Sequence, residues 1–133
     1  MRQVVYLATP YVYSSKSKEI GVNKPDNEEF KEKVMKDRFE KVSEVAAKLF
    51  KAGFFVFSPI SMGRPIAKYL TDANDFSFWE EFDYTMITRC DMVVVLCVDG
   101  WKESEGVAKE INFADSKDIP VMFITEDLKI LGV

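Results

Sequence analysis

The chain has 133 residues, of which 47% are hydrophobic and 14% aromatic, and it carries a net charge of −4. This apolar content is sufficient for the core of one domain, and we interpret residues 1–133 as a single domain. The acidic balance, without a basic block, argues against a general nucleic-acid binder or a membrane-surface protein.

The first third of the chain predicts a strand, a polar connection and a helix. Val4–Ala8 is a short β-branched apolar run and predicts the first strand. Residues 11–27 are polar and too many for an ordinary connection, which is typical of a functional cover or of disorder. Apolar positions at helical spacing then predict a helix from Glu28 to Lys51, with Gly53 as its C-terminal cap.

Further strands and helices alternate in the rest of the chain. Apolar and aromatic runs predict three strands, at Phe54–Phe57, Asp91–Val98 and Ile119–Thr125. The middle run is continuous rather than alternating, which is typical of a strand buried on both faces. Helices are predicted near Pro65–Leu70, at about 78–88 after a Ser77-x-x-Glu80 capping box, and from Ser104 to Lys117. We interpret the tail as one last turn.

Strands separated by helices, without hairpin signals, predict an α/β fold with a doubly wound, mostly parallel sheet of four to five strands, flavodoxin-like or Rossmann-like. Ligands bind such sheets beyond the carboxyl ends of the strands, where the strand order reverses. For the order 2-1-3-4, that crevice lies between strands one and three. The residues expected to face it are Tyr6 to Tyr11, including Thr9 and Pro10, and Asp99 to Gly106.

The absence of histidine limits the available chemistry. It removes Ser-His-Asp and Cys-His nucleophile systems, histidine-ligated zinc and histidine general bases. Catalysis must then use carboxylates, hydroxyls, lysine or tyrosine, and we expect neither a cofactor nor a metal. The longest apolar run, Met92–Val98, is too short for a membrane span, and the start lacks a signal-peptide pattern, so we expect a cytoplasmic protein without membrane association. Cys90 and Cys97 lie too far apart along one strand to bridge each other.

Four polar positions meet at the predicted crevice, and each has an ordinary alternative. Ser104, with Gly106 and Val107 after it, would open a helix whose N–H groups suit a phosphate, or would simply cap that helix. Glu110 shares the sheet-facing side of this helix and would lean toward Ser104, or would pair with a surface lysine. Asp83 stands in an aromatic stretch where burial would raise its pKa, or it is solvated. Tyr6 lies near the end of the first strand.

The aromatic side chains offer a weaker signal. Trp79 and Trp101 are able to stack on a base, although filling the core is the more ordinary role for each. We include Trp101 among the candidate substrate-binding residues because it lies in the segment that follows the third strand.

Three stretches of the sequence occur in a characteristic order: Val5-Tyr6-Leu7-Ala8; Asp83 eight residues before Asp91-Met92-Val93-Val94-Val95; and Ser104-Glu105-Gly106-Val107-Ala108-Lys109-Glu110 followed by Ala114 and Ile119-Pro120-Val121. This order resembles the nucleoside 2-deoxyribosyltransferase-like superfamily, and it is closest to its 2′-deoxynucleoside 5′-phosphate N-hydrolase branch. The resemblance covers most of the chain. It implies that Glu110 is a nucleophile, that Asp83 is an acid and that Tyr6 orients the nucleophile.

Two glutamates compete for the nucleophile position. Glu105 lies six residues after Asp99, as in members that transfer nucleosides, whereas Glu110 lies six after Ser104, as in members that hydrolyse nucleotides. Two downstream landmarks fit Glu110: Ala114 and Val121. We therefore choose Glu110, and this register favours a nucleoside 5′-monophosphate, because a serine and helix N–H groups attract a phosphate that an aspartate would repel.

The family pattern is incomplete in one place. Relatives carry a glycine-rich loop after the first strand, whereas this chain has a polar stretch there, in which Ser14, Ser15 or Lys16 are possible phosphate contacts. The resemblance further implies a small-molecule nucleoside or nucleotide as ligand, a homodimer or larger homo-oligomer, and cleavage or exchange of the base. The alternatives are a non-catalytic nucleotide-binding module that uses the same crevice and a plain interaction domain.

Overall fold

Five strands form one sheet in a computed structural model of the protein. The structure describes residues 2–11, 28–70 and 76–132, and for Phe76 it describes the backbone only. The strands are β1 (Val4–Ala8), β2 (Phe55–Phe57), β3 (Met92–Leu96), β4 (Val121–Ile124) and β5 (Ile130–Leu131), and the helices are α1 (Glu28–Lys51), α2 (Pro59–Ala67), α3 (Phe76–Arg89) and α4 (Glu105–Ser116). The strand order is β2-β1-β3-β4-β5, and only β5 runs antiparallel to its neighbour. The predicted α/β class and the order 2-1-3-4 are confirmed.

The sheet separates two hydrophobic cores because β1 alternates its side chains between the faces. Val5 and Leu7 belong to the core beneath α1, whereas Tyr6 and Ala8 belong to the core beneath α3 and α4. All five residues of β3 are buried, which confirms the strand predicted to be covered on both faces. The face that carries Tyr6 is therefore the one that α3 and α4 close.

The side chain of Asp91 joins the first and third strands. The Oδ2 atom of Asp91 accepts a hydrogen bond of 2.7 Å from the backbone N–H of Val4. This contact supports the register of β1 against β3, in which Tyr6 lies opposite Val93. The carboxyl ends of the two central strands thus reach the same edge of the sheet.

Helix α2 begins at Pro59, so the prediction of a helix only near Pro65–Leu70 was wrong. Ser58 is the N-cap, since its Oγ accepts a hydrogen bond of 3.3 Å from the N–H of Ser61, and Pro59 suits the first helical position because that position needs no N–H partner. The Ser61 hydroxyl also lies 2.6 Å from that of Ser43 in α1. Helix α2 is therefore fixed to α1 at the carboxyl edge of the sheet.

Two further expectations were wrong. Ser77 lies inside α3 and does not act as its N-cap, because the helix already includes Phe76. The tail does not form a last helical turn. Leu128 adopts a positive φ of 65° in a tight turn, and the N–H of Thr125 bonds to the carbonyl of Lys129 at 2.9 Å, so the chain reverses into β5. Within the described ranges, no helix combines the length and apolar character that crossing a membrane requires.

Candidate active site

Tyr6 lies at the centre of the candidate site. Its side chain is fully buried on the α3 and α4 face of β1. The phenolic hydroxyl donates a hydrogen bond to Oε2 of Glu110, and the Tyr6 ring lies 5.7 Å from that of Phe57. The hydrogen bond predicted between these two residues is therefore present, and it connects the first strand to α4.

Glu110 points into the protein because of its place on α4. It lies on the same helix face as Val107 and Ala114, which are buried against the sheet, and only 6% of Glu110 is exposed. Burial raises its pKa to about 8, the hydrogen bond from Tyr6 acts in the opposite direction, and the charge of Asp83 raises the pKa further. The competing glutamate, Glu105, is exposed in the first turn of the helix.

Asp83 reaches the same place from α3, and 8% of it is exposed. The residue before it, Phe82, contacts both Phe57 and Trp79 with ring centroids 6.0 Å apart in each pair. Burial raises the pKa of Asp83 to about 7, and a hydrogen-bonding interaction with the Tyr6 side chain opposes that rise. The Oδ1 atom of Asp83 is buried and has no hydrogen-bond partner in the described part of the chain.

The side chains of Tyr6, Asp83 and Glu110 lie together in one buried region that excludes most water. Burial, followed by the charges of Glu110 and Asp83, raises the pKa of the Tyr6 phenol well above its ordinary value. Two carboxyl groups in such a space resist being ionised together, because each negative charge disfavours the other and neither is well solvated. The site therefore retains a proton near neutral pH, which makes one carboxyl able to donate a proton while the other remains able to attack.

The N-terminus of α4 opens next to Glu110, and Ser104 is confirmed as its N-cap. The Ser104 Oγ accepts a hydrogen bond of 3.2 Å from the N–H of Val107, so that N–H is already used and the Val107 side chain belongs to the core. The N–H groups of Glu105 and Gly106 precede the first intrahelical bond and have no partner within the helix. A Cβ atom placed on Gly106 would meet only Ser104 Oγ, at 3.9 Å, so the helix mouth is sterically open.

Two arginines that the sequence did not single out bind the chain just after β1. Arg38 of α1 is buried and donates to the carbonyl oxygens of Tyr11 at 3.3 Å and Asp99 at 3.5 Å. Arg64 of α2 donates to the Tyr11 hydroxyl at 3.0 Å and pairs with Glu32. A signal for Arg38 existed, because it falls on the buried face of α1 together with Met35 and Val42.

Some of the residues predicted to bind the ligand lie apart from Tyr6, Asp83 and Glu110. Pro10 is buried just after β1, whereas Thr9 lines a cleft of about 720 Å³ on the α1 side. That cleft also contains Arg38 and the ion pair between Lys41 and Glu126, whose atoms lie 2.6 Å apart. The Trp101 ring packs on Phe123 at 5.3 Å as part of the core, as its ordinary reading expects.

Ser14, Ser15 and Lys16 lie outside the described residues. No cluster of three or more acidic or cysteine side chains suited to a metal occurs among residues 2–11, 28–70 and 76–132. Both cysteines are free thiols, and burial raises the pKa of Cys90 to about 11, which makes that thiol a poor nucleophile at neutral pH.

The fold and the site define a single-sheet, Rossmann-like α/β protein with two buried carboxyl groups at the edge of the sheet. The chain belongs to the family described as Domain of unknown function (DUF1937), whose model matches residues 3–126. The match includes Tyr6, Asp83 and Glu110. No curated protein sequence matches the chain.

Proposed function

We propose that this protein cleaves or exchanges the N-glycosidic bond of a (deoxy)nucleoside 5′-monophosphate or nucleoside, with Glu110 as the nucleophile and Asp83 as the acid. The observation that carries the proposal is that Asp83 and Glu110, from two different helices, are both buried and both interact with the Tyr6 side chain. A pair of carboxyl groups, one acting as acid and one as nucleophile, is the equipment of a retaining glycosyl transfer.

The first step forms a covalent intermediate. A carboxylate oxygen of Glu110 attacks C1′ of the sugar, and the bond between C1′ and the base nitrogen breaks with its electron pair going to the base. Asp83 transfers its proton to the departing base and becomes a carboxylate. The buried Oδ1 atom of Asp83 has no hydrogen-bond partner among the described residues, and it is the oxygen that we propose faces the base.

The second step releases the sugar. Water attacks C1′, the ester bond to Glu110 breaks, and the Asp83 carboxylate accepts the proton that water loses. A second base in place of water would give exchange instead of hydrolysis. Two inversions at C1′ retain the configuration of the sugar, and the protein returns to its starting protonation state.

The open helix mouth supports a phosphorylated substrate. The N–H groups of Glu105 and Gly106 form a partial positive charge at the start of α4, four to five residues before Glu110. Since Ser104 Oγ already accepts the Val107 N–H, the backbone of the first turn is the main phosphate contact that we propose here.

We also propose a homodimer in the cytoplasm. Three phenylalanines on α3 and the edge strand β2 are 39–48% exposed: Phe55, Phe78 and Phe82. Phe57 of β2 contacts Phe82 of α3, so the strand and the helix adjoin on that side. A two-fold association through such a surface would cover it on both copies. The two free thiols agree with a reducing compartment. Light scattering should give twice the mass of one chain, and a monomer at micromolar concentration would contradict the association.

The function is tested by incubating the pure protein with a panel of nucleosides and their 5′-monophosphates, with and without added free base. We expect release or exchange of the base from at least one monophosphate, and its loss in Glu110→Gln. Glu81→Gln, on the exposed side of α3, is the matched control and should retain activity. A protein that binds a nucleotide but releases no base, with the same affinity in Asp83→Asn, would instead be a binding module.

A further inference from the structure

We propose that the Tyr6 hydroxyl joins Asp83 and Glu110 into one proton-sharing unit, in which a proton moves through the hydroxyl from one carboxyl to the other. This proposal rests on the proposed function only for its consequence, which is that acid and nucleophile are prepared in the same event. Its physical content concerns the free protein and is measurable without a substrate.

The contacts of Tyr6 provide the route. The hydroxyl is hydrogen-bonded to Glu110, and it also interacts with the Asp83 carboxyl. A phenol is both a donor and an acceptor, so it is able to receive one proton while giving up its own. All three side chains are more than nine-tenths buried, which restricts exchange with bulk water and favours the internal route.

The transfer is balanced in atoms and charge. From the observed arrangement, the phenolic proton of Tyr6 passes to Glu110 while the carboxyl proton of Asp83 passes to the Tyr6 oxygen. Glu110 becomes a carboxylic acid, Asp83 becomes a carboxylate, and Tyr6 remains a neutral phenol. The reverse movement restores the first arrangement, and neither direction needs another reactant.

The surroundings of the unit contain no strong competitor within the described residues. Tyr84 of α3 and Cys90 after it are the other titratable groups coupled to these side chains, and both have raised pKa values that keep them neutral near pH 7. Glu80 acts on Tyr84 and lies 3.7 Å from Lys109, in a pair at the surface. The proton balance near neutral pH is therefore determined by Asp83 and Glu110.

Ligand binding would move the proton in the useful direction. Burial raises the pKa of both carboxyl groups, so either is able to hold the proton near neutral pH, and Glu110 is a poor nucleophile while it does. A base placed against Oδ1 of Asp83 would add desolvation there, and positive charge developing at C1′ would stabilise the Glu110 carboxylate. The nucleophile would thus become reactive only when a substrate is present.

Site-resolved carboxyl carbon NMR on the ¹³C-labelled full chain, titrated from about pH 5 to pH 10, tests the proposal. In the wild type we expect the side-chain carboxyl carbons of both Asp83 and Glu110 to shift in both titration steps, because the proton is divided between them. In Tyr6→Phe both midpoints should lie at a higher pH, since the hydroxyl lowers both pKa values, and each carbon should follow mainly one step because only the charge coupling remains. Tyr69→Phe, at a side chain that is 79% exposed, is the matched control and should reproduce the wild-type curves.

Two results would overturn the sharing: single independent steps for the two carbons in the wild type, or identical curves in the wild type and Tyr6→Phe. Should Tyr6→Phe not fold, Asp83→Asn serves instead, and there the Glu110 carbon should show one step at a lower pH because the neighbouring charge is gone. An unchanged two-step curve for Glu110 in that variant would also refute the unit. Coupled titrations without any base release would support the unit and refute the proposed function, whereas base release with uncoupled titrations would do the opposite.

Discussion

The hydroxyl of Tyr6 in β1 donates a hydrogen bond to the carboxyl of Glu110 in α4, across 104 positions of the chain. The contact exists only when β1 and α4 pack against each other, so correct folding and assembly of the site are one event. Because Glu110 is almost completely buried, replacing it has consequences for reactivity and for stability, and the two are separable by measurement.

Replacing Glu110, the proposed nucleophile, should remove the first step of the proposed reaction. Glu110→Gln keeps the size of the side chain and should lower the rate of base release by about a thousandfold or more, as for the loss of a covalent nucleophile. Single-turnover kinetics with a labelled substrate measure it, and mass spectrometry of the quenched wild type should detect the glycosyl ester on the peptide that contains Glu110. Wild-type rates in this variant would disprove the assignment.

Replacing Asp83, the proposed acid, should make the rate of base release depend on how readily the base leaves without protonation. We expect Asp83→Asn to lower the rate about a hundredfold for an ordinary base, since a general acid contributes roughly that much or more. A base that leaves without protonation should be affected far less. Asp115→Asn, at an exposed position of α4, is the control. An equal loss for all leaving groups would indicate a structural role for Asp83 instead.

The stability of the protein should fall as the pH rises. Both buried carboxyl groups have a folded-state pKa above the unfolded one, near 7 for Asp83 and 8 for Glu110, so the folded state binds more protons in this range. Their stabilising effect is complete below about pH 4 and is lost as the pH rises toward 8. Chemical denaturation between pH 5 and pH 9 should show a smaller decrease in the free energy of unfolding for Glu110→Gln than for the wild type, by about 1–3 kcal/mol. Parallel curves for the two proteins would contradict the buried, protonated state.

The helix mouth should distinguish phosphorylated from unphosphorylated ligands. Gly106→Ala should fold normally, because the added Cβ meets only Ser104 Oγ at 3.9 Å and alanine favours helices. The methyl group would nevertheless stand over the free N–H groups, so the KM for a nucleoside monophosphate should rise several-fold while that for the nucleoside stays constant. Equal changes in the two KM values would show that the phosphate does not bind at the start of α4.

Regular patterns made most of the fold predictable. The bounds of α1 follow from its apolar spacing and from Gly53, whose φ of 105° suits a helix end, and β3 follows from its unbroken apolar run. The start of α2 was missed because Ser58-Pro59 was interpreted as the stop of a strand, whereas the same pair also caps and starts a helix. The two residues of β5 are too few for any period to show.

The site was predictable only where side chains lie on a regular element. Helical spacing placed Glu110 toward the sheet, and the aromatic surroundings of Asp83 indicated a raised pKa. The period-2 alternation of β1, continued to Thr9, separates that residue from Tyr6, so its place on the α1 side was open to prediction although the crevice was treated as one surface. The carbonyl partners of Arg38 are likewise set by tertiary structure, since backbone oxygens leave no trace in a sequence.

One guanidinium group that spans the ends of two strands also affects how a ligand enters. Arg38 is bonded to the chain after β1 and to the chain after β3, so separating these strand ends would break two hydrogen bonds of a buried cation. That penalty opposes widening of this edge of the crevice. A ligand that needed more room there would have to displace the helices across the sheet instead, and the strand ends would set the size that fits.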